Sequence, residues 1–367
     1  MPTYEVQTGR QNYPCVVERG VLSDIAKYVP PRSGKIFVAT TADVWELYGT
    51  RVASNLGGLE FHTLLFPGGE STKKFEHVEA LAEQMVAAGA DRSSIVIACG
   101  GGIVNDMGGF LASIFMRGVP VIQIPTTLLA QVDAAIGGKT GVNLNSGKNL
   151  IGAFHQPLAV LIDPEVLRSL PEREFRAGLF EVVKYGVISS PELFELLSKR
   201  SSDVLAQNPE VLDRIIAESV RIKAEVVTAD EKESDLRRIL NFGHTVGHAL
   251  EAETKYQKFL HGEAVAFGMN AATELASIVG LLDSAGREAI LKAVSLYGPI
   301  PSLQGIQAES LLRRLVSDKK TIQGKVHFVL PECIGRVRVL SEVPEDKVFR
   351  AIQAALASRA AGEQEKK

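Results

Sequence analysis

The chain has 367 residues, enough for two domains each with its own core. It is 46% hydrophobic and 23% charged with a formal net charge of −3, a balance that argues against a dedicated nucleic-acid or membrane-surface protein. The opening MPTYEVQTGR has no signal-peptide pattern, and no apolar run reaches the ~18–20 residues that span a bilayer, so a soluble cytoplasmic protein is expected. In chain order, KIFVAT (35–40) reads as a buried strand and DVWELYGTRVASNL (43–56) as a helix with Val44, Leu47, Tyr48 and Val52 on one face. EFHTLLF (60–66) is a strand, and PGGEST turns into a helix over 75–88. SSIVIACG (93–100) and VPVIQIP (119–125) are further strands, separated by a glycine loop and a helix. Strands alternating with helices predict a Rossmann-like α/β domain with a mainly parallel, doubly wound sheet.

After AVLIDPEVLRSLPEREF, punctuated by Pro164 and Pro171, helical periodicity dominates. Helices are expected near 173–188, 191–200, 209–229, 239–253, 262–280, 285–296 and 308–317. A hairpin pair, KVHFVLP and RVRVLSE, falls near 325–342, and the polar tail ASRAAGEQEKK reads as frayed. The expected boundary lies near residue 165, giving an α/β domain over 1–165 and a mainly α-helical domain over 166–367. Cys15, Cys99 and Cys333 are scattered without a CxxC pair, which fits a reducing compartment rather than a disulfide scaffold.

IVIACGGGIVNDMGGF (95–110) places three glycines between a strand and a helix. Glycines there let the backbone approach a pyrophosphate, and the helix N-terminus favours its charge. Gly100 and Gly102 match GxGxxG, but Asn105 holds the third position, and IPTTLL stands where the acidic ribose partner usually falls. A tight turn without a ligand is the competing reading. PGGESTK (67–73), a second glycine turn after the preceding strand, favours nucleotide binding, because two such loops border one crevice. IGGKTG (136–141) suggests a P-loop, yet Asp133 stands where Walker A needs glycine, so an ATPase is rejected. The Asp133, Lys139, Lys148 and Asn149 region reads either as solvated charge or as a seat for an anionic substrate.

His244, His248 and His261, three of the seven histidines, fall within 18 residues. HExxH is absent because Thr245 replaces the glutamate, so a metalloprotease is unlikely on motif grounds. Spacing alone makes His244, His248 and His261 the first guess for a three-ligand metal site with one open position. In GLFEVVKYG (178–186), Glu181 and Lys184 stand three apart, and on spacing alone they read as a surface ion pair.

CGGGIVNDMGGF, QIPTTLLAQVDAAIGGKTGVN, GKNLIGAFHQP, GLFEVVKYG, NFGHTVGHALE and LHGEAVAFGM together resemble the signature blocks of 3-dehydroquinate synthase, one of the sugar phosphate cyclases. They occur in that family's order over about residues 67–270, and DKKTIQGKVHFVLPECIG (318–335) is also similar. The resemblance implies a lyase of the shikimate pathway, serving aromatic amino-acid biosynthesis. It would convert 3-deoxy-D-arabino-heptulosonate 7-phosphate (DAHP) to 3-dehydroquinate and phosphate. NAD-mediated oxidation, phosphate elimination, re-reduction and intramolecular aldol closure are the implied steps. NAD and zinc, replaceable by cobalt, are the implied cofactors, with a homodimer and an active site in the interdomain cleft.

By the same resemblance the metal ligands become Glu181, His244 and His261, and His248 becomes a proton-handling or orienting group. Substrate contacts would be Asp133, Lys139, Asn149, Lys184, Lys223, Arg237 and Asn241, with Lys319 or Lys320 and with Arg117 reaching the phosphate, in some readings from the partner subunit. NAD contacts would be Asp43, Glu70, Lys73, Gly101, Gly102, Asp106, Thr126, Thr127, Lys139 and Lys148. Gly68 stands where relatives commonly carry an acid. The alternatives are another sugar phosphate cyclase, a metal-dependent polyol dehydrogenase of the glycerol type, or a nucleotide-sensing module without chemistry.

Overall fold

The structure, a computed structural model, describes residues 2–9, 11–318 and 326–364. It divides into two compact units: Met1–Pro171 with Leu212–Lys232, and Glu172–Val211 with Glu233–Lys367. This differs from a single cut near 165, because residues 212–232 return to the first unit. Side-chain contacts tie them there: Arg19 to Asp213 at 2.7 Å, Lys223 to Asp133 at 2.7 Å, and Gln156 to Glu231 at 2.9 Å.

The first unit contains β1 (Thr3–Gln7), β2 (Asn12–Val17), β3 (Ile36–Thr40), β4 (Phe61–Leu65), β5 (Ile95–Gly100), β6 (Val121–Pro125), β7 (Lys139–Leu144), β8 (Gly147–Phe154) and β9 (Ala159–Ile162). Seven of them form one sheet in the order β1-β2-β9-β6-β5-β3-β4, parallel except for the β1–β2 pair. The period of two sends Ile36, Val38, Ile95, Ile97, Ile122 and Ile124 to one core. It sends Phe37, Ala39, Val96, Ala98 and Val121 to the other. Burial on both faces explains why these strands read as continuous apolar runs. Parallel strands deliver the loops after β3, β4, β5 and β6 to one edge, and the order reverses between β3 and β5. β7 and β8 form an antiparallel hairpin of their own.

Among the described residues, the second unit is helical apart from the antiparallel hairpin of β10 (Phe328–Cys333) and β11 (Arg336–Leu340). Helix His261–Ile278 lies at its centre, with every residue from Gly262 to Ala276 buried. Helices Glu172–Ile188, His244–Glu253 and Glu345–Gln364 pack against it. Two glycines permit the approach: a Cβ on Gly262 would overlap the Ala177 carbonyl oxygen, and one on Gly268 the Gly243 carbonyl oxygen.

Two local expectations are corrected. The segment 239–253 is not one helix: a 3-10 turn, Leu236–Asn241, precedes a left-handed Gly243 with φ 83°, and the α-helix starts at His244. Asn241 therefore does not continue the face that carries His244. In the tail, helix Glu345–Gln364 continues through residues 357–364, where fraying was expected. Val348, Ala351, Ile352 and Ala355 supply a buried stripe that anchors this helix.

Candidate functional site

In the first unit, helix Gly102–Ile114 begins directly after the β5 glycines, with no side chain capping its N-terminus. Its first backbone N–H groups are thus available to an anion. The cradle is tight: a Cβ on Gly101 would lie 3.0 Å from Thr127 Cγ2, and one on Gly102 3.2 Å from Ala134 Cβ. Asn105, at the position where the fingerprint has glycine, is buried and donates from Nδ2 to Ala98 O at 3.2 Å. Close helix–sheet packing falls one turn later, at Gly108, where a Cβ would come within 2.7 Å of Ala98 Cβ. These features fit a dinucleotide pyrophosphate.

A polar network joins the predicted cofactor contacts beside this loop. The buried Lys73 ammonium ion-pairs with Asp106 and donates to Asn149 Oδ1 at 2.5 Å. Asn149, in the left-handed region at φ 53°, donates its backbone N–H to Asn143 Oδ1 at 2.9 Å. Asn143 Nδ2 donates to Glu70 Oε1 at 2.7 Å, and Lys148 Nζ lies 3.5 Å from the same oxygen. Asp43 is exposed in the first turn of helix Ala42–Asn55, and Lys139 is exposed at the start of β7. Thr126 donates its N–H to Gly100 O at 2.9 Å, and Thr127 Oγ1 accepts from Ala130 N at 3.2 Å. Asp133 lies in a π-turn and pairs with Lys223. Arg117 is exposed at φ 72° beside Met116 at φ 49°.

Burial pushes the Asp106 carboxyl up from its ordinary range, and the Lys73 ammonium pulls it back. An acid whose folded pKa is raised costs stability once pH exceeds the unfolded value. Replacing Lys73 by Met removes the opposing pull. The variant's stability deficit should therefore grow as pH rises above the ordinary carboxylate range, to about 2 kcal/mol near pH 8. Melting curves at the two ends of this rise check this; an equal deficit at both would sink it.

In the second unit, three helices bring the metal-type ligands together. Glu181 is fully buried on helix Glu172–Ile188, where every residue from Ala177 to Ile188 is buried. Its Oε1 lies 3.6 Å from His244 Nε2 and 3.7 Å from His261 Nε2. Lys184, 1% exposed, ion-pairs with Oε2. The surface-pair reading of Glu181 and Lys184 is thus corrected: this stretch of the helix is enclosed all round, which the i, i+3 spacing did not reveal. Apart from this ion pair, neither Glu181 oxygen receives a hydrogen bond among the described residues. A buried carboxylate facing two imidazole nitrogens fits a divalent cation by its donor chemistry.

His248 is exposed one turn beyond His244, their ring centroids 5.4 Å apart. Ligand atoms of Glu181, His244 and His261 lie within 4.8 Å of one another, and so do those of His248, Glu251 and His261. The all-histidine set suggested by spacing is thus replaced by groups that each include a carboxylate. Arg237 is 1% exposed, and Asn241 Nδ2 donates to Glu233 Oε1 at 2.7 Å. Lys319 and Lys320 lie outside the described residues.

The family description 3-dehydroquinate synthase N-terminal matches residues 63–177, and 3-dehydroquinate synthase C-terminal matches residues 178–321. The 3-dehydroquinate synthase of Solibacter usitatus (strain Ellin6076) is 63% identical over 357 residues, covering 97% of this chain and 100% of its own length. The chain belongs to the 3-dehydroquinate synthase family. Its fold is shared with ValA, the 2-epi-5-epi-valiolone synthase of Streptomyces hygroscopicus subsp. jinggangensis 5008, solved with NAD+ and Zn2+ bound. That structure gives a TM-score of 0.88 at 32% identity, covering 96% of this chain and 99% of that one. A 2-deoxy-scyllo-inosose synthase complexed with carbaglucose-6-phosphate, NAD+ and Co2+ gives 0.86 at 27% identity, covering 96% and 99%.

Two residues of this 3-dehydroquinate synthase family member join the clusters without a role having been assigned to them from sequence. Asn143 bridges Glu70 to Asn149. Its only signal was its place in GKTGVN, on a strand that was not recognised. Glu251 is buried, with Oε2 3.4 Å from His261 Nδ1. Its signal was the i, i+3 spacing from His248.

Proposed function

We propose that this chain converts DAHP to 3-dehydroquinate and phosphate in the shikimate pathway, as a cytoplasmic homodimer using NAD and zinc or cobalt. The observation that carries this reading is the identity of 63% over nearly the full length of a 3-dehydroquinate synthase. The buried Glu181, His244 and His261 group supports it chemically. Among the described residues no helix is long and apolar enough to cross a membrane.

Glu181, His244 and His261 would hold the metal, and the β5 glycine loop with Glu70, Lys73 and Asp106 would hold NAD. When bound, the metal supplies positive charge that acidifies a coordinated hydroxyl, and NAD supplies a reversible hydride acceptor. The chain's own residues do the rest. Arg237 and Lys184, the latter paired with Glu181, are each 1% exposed cations that water does not screen, and their chemistry suits a carboxylate or phosphate. Asn241 of the same unit would orient a hydroxyl, and in the first unit Lys223, Lys139 and the exposed Arg117 are candidate anion contacts, with Asp133 and Asn149 as candidate hydroxyl partners. His248, exposed beside His244 and His261, can exchange a proton with solvent at its imidazole.

Incubation of the protein with DAHP, NAD and zinc should release phosphate and form 3-dehydroquinate in equal amounts without net NADH. Chelation should abolish both products. Phosphate without 3-dehydroquinate would point to a different ring closure. Steady NADH accumulation with glycerol would replace the reading by a polyol dehydrogenase.

A further inference from the structure

The two metal-facing histidines of the second unit differ in what holds their far ring nitrogen. His244 Nδ1 lies 3.2 Å from the Phe242 carbonyl oxygen, a neutral acceptor. His261 Nδ1 lies 3.4 Å from Glu251 Oε2, a carboxylate on the preceding helix. Glu251 is 1% exposed, whereas the His261 side chain is 32% exposed. A carboxylate removed this far from water needs a donor to stay ionised. A His261 imidazole protonated at Nδ1 would be one such donor and would in return be held in one tautomer.

We propose that Glu251 is a positioning residue for the metal, acting through His261. Its carboxylate accepts the His261 Nδ1 proton, which leaves the Nε2 lone pair directed at the space beside Glu181 Oε1. His261 is the ligand that needs such help. His244 is 9% exposed and fixed by its own backbone, while His261 opens the central helix and keeps access to water. Glu251 thus compensates for exposure at one ligand only. The competing role is direct ligation in a second group with His248 and His261, whose ligand atoms also lie within 4.8 Å. Holding the Nδ1 proton excludes that role for His261 while its Nε2 is engaged.

This inference rests on the metal reading proposed above, so the first measurement is cobalt titration of the unaltered protein. Absence of binding there would remove the metal reading itself. With binding established, Glu251→Gln is titrated. The amide still accepts a hydrogen bond but carries no charge, so affinity should fall about 10- to 100-fold with one cobalt per chain in both proteins and a shifted visible absorption band. Unchanged affinity and spectrum, or two cobalt ions per chain with one lost on substitution, would overturn the proposal. If Glu251→Gln does not fold, nitrogen-15 histidine spectra of the zinc-loaded unaltered protein decide. His261 should carry its proton on Nδ1, and a metallated Nδ1 would overturn it.

Discussion

Glu181→Gln will strip the protein of its metal and lower kcat/KM for phosphate release about a thousandfold, equivalent to about 4 kcal/mol of transition-state stabilisation. The amide keeps the shape and loses the charge that faces His244 and His261. Stability should suffer as well. Lys184 is 1% exposed and its carboxylate partner is fully buried, so removing that charge costs about 3–5 kcal/mol. The double variant Glu181→Gln, Lys184→Met separates the two effects, because it removes both charges together. Urea melts should show stability regained in the double variant, while metal analysis shows none bound in either. Full metal occupancy in Glu181→Gln would refute the assignment of this carboxylate.

Gly262→Ala should damage the same site without touching a ligand. In an exposed helix the change would stabilise by about 1 kcal/mol. Here the new methyl group would overlap the Ala177 carbonyl oxygen, a backbone atom that cannot rotate aside. Overpacking against backbone costs about 3 kcal/mol or more, so destabilisation wins by about 2 kcal/mol. Helix His261–Ile278 would have to move away from helix Glu172–Ile188, carrying His261 away from Glu181. Metal affinity should therefore fall along with the melting temperature. A raised melting temperature with unchanged metal affinity would show that the helices are not held at this distance by Gly262.

Sequence patterns disclosed β3, β5 and β6 because central parallel strands are apolar on both faces, and they disclosed β4 although it is a half-buried strand at the sheet edge. The same logic hid β7 and β8. Leu144, Leu150 and Phe154 are exposed there, and glycines and asparagines interrupt the run, so it resembled a binding loop. β1 and β2 were hidden by Pro14, which pairs with Glu5 beyond the stretch of β2 that meets β9. The candidate metal cluster was half legible. Histidine density pointed to His244, His248 and His261, but the burial of Glu181 depends on elements packed against its helix, among them helix His261–Ile278 far along the chain. No local period of residues 172–188 carries that information, and the family resemblance was needed to name it. The break at Gly243 was missed because NFGHTVGHALE keeps helical spacing through it, while the backbone at φ 83° does not.

The return of residues 212–232 to the first unit has a consequence during synthesis. The sheet strands from β1 to β9 leave the ribosome well before the helix that carries Asp213, Lys223 and Thr228. Until then Arg19, Asp133 and the Gln7 backbone N–H lack the partners that helix supplies. Domains usually mature N-terminal first as translation proceeds. Here the N-terminal unit cannot be completed before part of its neighbour has already been made. The growing chain must tolerate an unfinished sheet, and a translational pause after residue 171 would prolong that exposure rather than relieve it.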